Sequence, residues 1–283
     1  MILIADSGST KTDWRMIDNQ GNIEQGKTMG FNPYQTSEEE IFREIDEKIK
    51  NKFAVKPVSI FFYGSGCAAP GNKAIVKRAV ARVFPESDII IEHDLLAAAR
   101  ALCGNEPGIA CILGTGSNSC LYDGKNIVEN RTSLAFILGD EGSGAVMGKG
   151  LVKKYLDEEL PPHLAEKFKK RFQPSVDEIL YKVYKEPFPN RYLAGYSKFL
   201  FDNLNDPFIY QMVYQNFNDF FEKNILKYTD YQKHKVHFVG SVAFYYSNVL
   251  RQVANDKGIT VKNILETPIA GLTLYHSNLI NEQ

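Results

Sequence analysis

The segment "ADSGSTKTDW" at residues 5–14 directly follows the apolar residues Ile2 to Ile4. The apolar run predicts a short buried strand. Asp6 to Thr10 predicts a tight turn, because Gly and Ser favour turns and add little bulk. Thr12 to Ile17 places Trp and apolar residues among polar ones, which indicates a second strand. A loop of small residues that joins two strands differs from the common phosphate loops that lead from a strand into a helix.

The same pattern returns about a hundred residues later. Ile109 to Leu113 predicts a buried strand, residues 114–119 form a second loop of small residues, and residues 120–122 are again extended. This repetition indicates an internal duplication of one supersecondary unit. Because strands alternate with helices in both halves, we expect an α/β protein of two similar lobes, residues 1–107 and 108–283. We also expect the final helix, from about Ile269, to pack on the first lobe.

Composition excludes several classes of protein. The chain has 283 residues, 44% of them apolar, and a formal net charge of −1. Such a balance argues against a dedicated nucleic-acid or membrane-surface binder, which usually carries a basic excess. The four cysteines contain no CxxC pair, so we expect neither a zinc site nor a disulfide framework. No signal peptide and no apolar stretch of membrane-spanning length is seen, and a cytoplasmic location is expected.

Three kinds of nucleotide site compete for the glycine loops. Residues 144–149 have the wrong spacing for a Walker A loop. Residues 64–69 fit the dinucleotide pattern, but we expect Pro70 and Gly71 to delay the helix that would face a pyrophosphate. The third interpretation is two facing hairpin loops, whose backbone N–H groups and the Lys11 ammonium hold the phosphates of a nucleotide. Asp6 would then hold Mg²⁺ through water, since this ion keeps several waters and uses few carboxylates.

Four motifs carry a resemblance to a known family: "DSGSTKTDW" (6–14), "ILGTGSNS" (112–119), "GDEGSG" (139–144) and "VGSV" (239–242). Their order resembles that of the actin, hexokinase and heat-shock-chaperone ATPase superfamily. More closely, the chain resembles the N-acetylglucosamine kinase branch, which is grouped with the BadF/BadG/BcrA/BcrD-type ATPases. The resemblance implies two ribonuclease H-like lobes with a nucleotide cleft between them, and ATP and Mg²⁺ as cofactors.

The resemblance also assigns binding residues to matching positions. For the nucleotide it implies the first phosphate loop, the second phosphate loop and the adenosine-side loop, namely Gly8, Ser9, Thr10, Lys11, Gly114, Thr115, Gly116, Gly240 and Ser241. For the sugar it implies contacts from Asn32, Asp94, Gly116, Ser117 and Asp140. In one place the chain departs from the family: residues 133–138 stand where the sugar kinases typically carry a Gly-Trp-Gly run.

Asp94 is the candidate catalytic base, because it ends a buried strand where similar kinases carry this carboxylate. A sugar hydroxyl needs an acceptor for its proton before it can attack a phosphoryl group. The alternative interpretation is that Asp94 caps the helix that begins at Leu95. Asn32 has an alternative in a plain Asn-Pro turn, and Asp140 in a cap for the helix from Ala145. Glu92 and His93 are interpreted as structural.

The sequence therefore predicts an ATP-dependent kinase that converts an amino sugar, foremost N-acetylglucosamine, to its 6-phosphate. Two alternatives stay open. One is an ATPase activator of acyl-CoA dehydratases, which needs interfacial cysteines for an iron–sulfur cluster, and the four cysteines lack cluster spacing. The other is a non-catalytic sugar sensor on a kinase scaffold. The expected partner is a small-molecule sugar, with no nucleic acid and no membrane, and a homodimer stays open.

Overall fold

The computed structural model describes residues 1–8, 10–173 and 175–281. These residues form two compact units. Unit 1 comprises Met1–Glu106, Asp123–Ile127 and Thr267–Gln283, and unit 2 comprises Pro107–Tyr122 and Val128–Glu266. Each unit is built around its own five-stranded sheet.

The sheet of unit 1 has the strand order β3-β2-β1-β4-β5. Strands β1 and β2 are antiparallel, as are β2 and β3, whereas β1, β4 and β5 run parallel. Its strands are β1 (Ile2–Ser7), β2 (Lys11–Ile17), β3 (Ile23–Met29), β4 (Ser59–Gly64) and β5 (Asp88–His93), and its helices are α1 (Glu38–Lys48), α2 (Pro70–Val83), α3 (Asp94–Cys103) and, from the end of the chain, α13 (Ile269–Asn281).

The sheet of unit 2 has the order β10-β9-β6-β7-β8. Its strands are β6 (Gly108–Leu113), β7 (Ser117–Tyr122), β8 (Ile127–Asn130), β9 (Val236–Val239) and β10 (Val261–Leu265). Its helices are α4 (Ala135–Leu138), α5 (Gly144–Leu156), α6 (Pro162–Phe172), α7 (Val176–Tyr184), α8 (Pro189–Gly195), α9 (Ser197–Asp202), α10 (Pro207–Lys223), α11 (Ser241–Tyr245) and α12 (Ser247–Asp256), with 3₁₀ turns at Ile225–Lys227 and Tyr231–Lys233.

The two sheets share one topology. In each, a hairpin of antiparallel strands comes first, and two later strands join the other side of the first strand in parallel. The alternation of strands and helices confirms the predicted α/β class. It also agrees with the duplication that the two small-residue loops indicate, because β1–β2 and β6–β7 are equivalent hairpins.

Local signals place the helices of unit 1. Ser37 caps α1, and Glu40 completes a capping box with it, as the sequence predicts. Helix α13 packs closely on α3: a Cβ on Gly271 would lie 2.3 Å from the backbone oxygen of Ala101. Only glycine permits this approach, which ties the end of the chain to the helix that begins with Asp94.

Four local predictions need correction. Pro70 does not delay α2; it is the first residue of that helix, where its missing N–H costs nothing. The second small-residue loop is shorter than predicted, because β7 already begins at Ser117. Strand β10 was not predicted, since it is a short strand at the edge of the sheet with exposed Lys262 in its middle. Helix α1 ends at Lys48 rather than about Lys52.

Among the described residues no helix is both long and apolar enough to cross a membrane.

Candidate active site

The predicted first phosphate loop is the turn of the β1–β2 hairpin. Gly8 N–H donates to the backbone oxygen of Lys11 at 3.0 Å, which closes the turn. Lys11 begins β2, and its ammonium lies 2.9 Å from the Asp13 carboxylate. Thr10 is exposed beside it, while the predicted nucleotide contact Ser9 lies outside the described residues. Two small residues and a cation are therefore placed at the exposed tip of a hairpin, where backbone N–H groups can approach an anion.

Asp6 lies at the end of β1, opposite Asp13 in the hairpin register. Burial, together with the charges of Asp13 and Asp94, raises the pKa of the Asp6 carboxyl to about 7, and only Lys11 opposes this shift. The negative charges of Asp13 and Asp94 both act on the Asp6 carboxyl, and a divalent cation would offset this excess. Among the described residues no three His, Cys, Asp or Glu side chains form a metal-binding group. A single carboxylate such as Asp6 can hold a cation through water, and Mg²⁺ is an ion that keeps several of its waters.

Asp94 is the first residue of α3, directly after β5. The cap of this helix is His93, whose Nδ1 accepts from the N–H of Leu96 at 3.4 Å. The alternative interpretation of Asp94 as the cap is therefore wrong. Instead, the Ser65 hydroxyl donates to the Asp94 carboxylate, and burial raises the pKa of this carboxyl above its usual range. Asp94 is thus a partly buried carboxylate whose orientation is set by a neighbouring hydroxyl.

Glu92 and His93 both have structural partners. The Glu92 carboxylate lies 2.5 Å from the ammonium of Lys73 on α2, which ties α2 to β5. The pKa of His93 is lowered by burial, so its ring stays neutral and can accept the helix N–H. Because His93 is the cap, the Asp94 carboxylate is held by other contacts, from the Ser65 hydroxyl and the N–H of Leu95.

A hydroxyl network joins the first loop to the segment that holds Asn32. The Ser7 hydroxyl accepts from the N–H of Phe31 at 2.9 Å and lies 2.8 Å from the Thr12 hydroxyl. Asn32 Oδ1 accepts from the N–H of Tyr34 at 3.1 Å, so Asn32 does form the turn that the Asn-Pro pattern predicts. A Cβ on Gly66 would lie 2.5 Å from this oxygen. Because Ser65 holds Asp94, the turn of Asn32 and the candidate base contact the same two-residue loop.

The predicted second phosphate loop, residues 114–116, is fixed by two other segments of unit 2. The N–H groups of Gly144 and Ala145 donate to the backbone oxygens of Gly114 and Thr115, at 2.9 and 3.1 Å. Gly240 has a φ of +121°, and a Cβ there would lie 2.2 Å from the oxygen of Leu113. Glycine is required at this contact because no side chain fits and few residues adopt this φ. Gly240 and Ser241, the proposed adenosine-side residues, are thus held directly beside the second loop.

Asp140 contacts this second loop through its side chain. The N–H of Ser117 donates to its carboxylate, and a Cβ on Gly116 would lie 2.9 Å from Oδ2. Its backbone φ is +59°, and burial raises the pKa of its carboxyl. The cap of α5 is Ser143, so the alternative interpretation of Asp140 as that cap is wrong. Asp140 instead lines a cavity of about 400 Å³ that Ser117, Ser133 and Leu138 also line.

A second cavity of unit 2, of about 450 Å³, begins at Ser241 and runs between α9 and α11. Its walls include Phe201 and Tyr245, whose ring centroids lie 5.8 Å apart in an edge-to-face pair. Lys198 and Asp202 add polar groups. An aromatic cavity that starts at the Gly240–Ser241 loop can accept a flat, polar-edged ring system.

The site contains functional contacts that the sequence analysis did not identify. Ser65 was noted only as part of the glycine pattern at residues 64–69, and Asp13 only as part of a strand. Sequence features could have identified both residues. Ser65 stands between two glycines after a predicted strand, and Asp13 lies opposite Asp6 once the hairpin is predicted. The contact of Asn216 with the loop of Asp140 spans 74 residues and has no local signal.

Comparisons with known proteins place this arrangement in a family. No protein-family model matches the chain, and no curated protein matches it. A solved structure from Porphyromonas gingivalis, proposed to be an N-acetylglucosamine kinase, is 42% identical, covers 98% of this chain and 99% of its own, and superposes with a TM-score of 0.92.

Two more distant structures share the fold. A proposed N-acetylglucosamine kinase from Chromobacterium violaceum is 16% identical with a TM-score of 0.76, and covers 97% of this chain and 98% of its own. A proposed N-acetylmannosamine kinase from Listeria monocytogenes is 13% identical with a TM-score of 0.53, and covers 100% of this chain and 99% of its own. Both lobes are thus ribonuclease H-like, as the sequence resemblance implies. The chain belongs to the N-acetylglucosamine kinase-like branch of the BadF/BadG/BcrA/BcrD-type ATPase family.

Proposed function

We propose that the protein is an ATP-dependent kinase that transfers the γ-phosphoryl group to the 6-hydroxyl of N-acetylglucosamine. The observation that carries the proposal is Asp94. Asp94 directly follows strand β5, is not the N-cap of α3, and its carboxylate accepts from the Ser65 hydroxyl and from the N–H of Leu95. Such a carboxylate can accept the proton of a sugar hydroxyl as that oxygen attacks phosphorus. The kinase relative that is 42% identical over nearly the whole chain supports the same class of reaction.

We assign nucleotide binding to both units. In unit 1 the hairpin residues Gly8, Ser9, Thr10 and Lys11 would contact phosphate oxygens. Asp6 would hold Mg²⁺ through water, and this ion, when bound, supplies positive charge that offsets the phosphates. In unit 2 the loop residues Gly114, Thr115 and Gly116 would donate N–H groups to phosphates, and Gly240 and Ser241 would contact the adenosine. The aromatic cavity beside Ser241 has the size and the chemistry for the base.

Sugar binding is assigned to residues that together supply hydrogen-bond donors and acceptors, since a sugar has hydroxyls on every side. In unit 1 these are Asn32 and Asp94. In unit 2 they are Gly116, Ser117 and Asp140, which already contact one another. Asp140 lines a cavity that also contains apolar Leu134 and Leu138, a mixture suited to a sugar with an apolar substituent such as an acetyl group.

The alternative as an ATPase activator has less support. That role needs exposed cysteines to hold an iron–sulfur cluster, whereas Cys67, Cys103, Cys111 and Cys120 are all buried. The sensor alternative differs from the kinase in catalysis alone. A sensor would bind sugar without consuming ATP, so one assay separates the classes.

The deciding experiment measures ATP consumption with N-acetylglucosamine, glucosamine, glucose and no sugar. We expect the rate to rise far above the basal rate with N-acetylglucosamine, to rise less with glucosamine, and to be lowest with glucose, because only the first offers the acetamido group. Mass spectrometry of the product should find one added phosphate per sugar. If no sugar raises the basal rate, the kinase assignment fails and the activator or sensor takes its place.

Asp140→Ala should raise the sugar KM at least about tenfold, because a hydrogen bond to a charged group contributes roughly 1.5–3 kcal/mol. The ATP KM should change less than about twofold. Asp230→Ala is the matched control, since Asp230 is an exposed carboxylate of the same unit paired with Lys233. Steady-state kinetics with each substrate varied in turn measure both constants. Equal rises in the two constants would contradict a contact specific to the sugar.

A further inference from the structure

One face of α10 contacts the loop that presents Asp140. Asn216, Phe220 and Lys223 stand at i, i+4 and i+7 of this helix, so their side chains share one side. Asn216 Oδ1 accepts from the N–H of Gly142 at 3.1 Å. The ammonium of Lys223 lies 2.5 Å from the carboxylate of Glu141. A single helix face thus binds the two residues that directly follow Asp140.

Phe220 packs directly against Gly142 in the loop that follows Asp140. Gly142 has a φ of +82°, and a Cβ there would lie 3.0 Å from Phe220 and 3.0 Å from Leu113. The loop backbone is therefore enclosed between α10 and β6, with no room for a side chain. Gly142 is buried, so its N–H cannot turn to water when the oxygen of Asn216 is removed.

The opposite side of the loop carries Asp140 itself. Its left-handed backbone directs its carboxylate to the N–H of Ser117. Aspartate adopts a positive φ more readily than most residues, and its surroundings then hold it in that conformation. The contacts on the far side of the loop, from Asn216 and Lys223, add to this restraint, which the N–H of Ser143 also supplies by donating to the Asp140 backbone oxygen at 3.1 Å. Lys223 also neutralises Glu141, whose charge would otherwise repel the carboxylate of Asp140.

We infer that Asn216 and Lys223 are positioning residues that hold the Asp140 carboxylate in its sugar-binding orientation. The inference rests on the proposed sugar contact of Asp140. Asn216 is 8% exposed and lies outside the cavity that Asp140 lines, so its role needs no contact with the sugar. Lys223 does line that cavity, and its positioning role is exerted through its ion pair with Glu141. The role of Asn216 depends on an acceptor oxygen, because its Nδ2 has no hydrogen-bond partner among the described residues.

Two substitutions of nearly equal shape separate positioning from packing. Asn216→Leu removes the acceptor, and Asn216→Asp keeps an oxygen facing Gly142. We expect Asn216→Leu to raise the sugar KM about tenfold, because the buried N–H of Gly142 loses its acceptor and the loop no longer holds Asp140 in place. The ATP KM should stay within about twofold of the unsubstituted value. Asn216→Asp should lower the melting temperature, because it buries a carboxyl, yet keep the sugar KM.

Lys223 is tested with a control on the same helix. Lys223→Met should raise the sugar KM and Lys223→Arg should restore it, since arginine can still pair with Glu141. Glu222→Gln breaks the ion pair of Glu222 with Lys257, also 2.5 Å long, which does not involve the loop. It should leave both KM values unchanged. A sugar KM unchanged in Asn216→Leu, or a rise equal to that of the ATP KM, would overturn the inference.

Hydrogen exchange gives a readout that needs no substrate. Peptides covering residues 139–146 should exchange faster in Asn216→Leu than in the unsubstituted protein, and at the unsubstituted rate in Asn216→Asp. Asp140→Ala serves as the reference in the kinetic assay. If Asp140→Ala leaves the sugar KM unchanged while exchange responds as expected, the proposed function fails and the contact stands. If Asp140→Ala raises the sugar KM but Asn216→Leu changes neither KM nor exchange, the inference alone fails.

Discussion

Asp94→Asn should lower kcat for phosphoryl transfer by roughly 10²–10⁴-fold, the usual contribution of a general base. The amide keeps the shape of the side chain and an oxygen for the Ser65 hydroxyl, but it cannot accept the proton of the sugar hydroxyl. The KM for ATP should stay within about twofold. Rates of ADP release with N-acetylglucosamine, under saturating substrates, measure the loss.

The fold of this variant should survive, because the cap of α3 is His93 and not Asp94. Loss of an N-cap costs about 0.5–2 kcal/mol, so thermal unfolding separates the two roles. Asp88→Asn is the matched control: Asp88 is an exposed carboxylate at the other end of the same strand. A variant that keeps the unsubstituted rate would eliminate Asp94 as the base, and one that melts far earlier would return it to a structural role.

The parts of the fold that follow from local sequence were predictable. Alternating strand and helix signals and the capping box of Ser37 and Glu40 place β1 to α3 within a few residues. The repeated loop of small residues predicts the second hairpin. Edge strand β10 was missed because an edge strand buries little, so its sequence carries no strong apolar pattern.

The candidate site was predictable to a lesser degree. The position of Asp94 after a buried strand is a local signal, whereas its partner Ser65 follows a neighbouring strand of the sheet. Whether Asp94 or His93 caps α3 depends on one backbone position, and propensity favours Asp over His for a cap. The structure has His93 there, which leaves the carboxylate of Asp94 for other contacts. Contacts such as Asn216 with Gly142 arise only when distant helices pack.

Asp6 is the second carboxylate of the candidate site, and its ionised form destabilises the folded protein. Its pKa is raised to about 7, so the folded chain retains a proton that the unfolded chain releases near pH 4. Stability therefore falls as the pH rises between these two values, and the full penalty is present above pH 7. A group kept at such a cost is typical of a functional site, where a bound cation would remove the penalty.

Asp6→Asn should therefore have opposite effects on activity and stability. Activity with ATP and Mg²⁺ should fall at least about 10²-fold, because the amide is a weak partner for a hydrated cation. At pH 8 in EDTA the melting temperature should rise, by about 2–4 °C for each kcal/mol of repulsion removed, and the rise should vanish near pH 4.

Asp46→Asn, which alters a carboxylate of α1 paired with Lys50, should change neither quantity appreciably. Kinetics over a Mg²⁺ titration and melting curves across pH measure both effects. A fully active Asp6→Asn would remove Asp6 from the metal site, and a variant that is inactive and melts earlier would mean that Asp6 is needed for the fold.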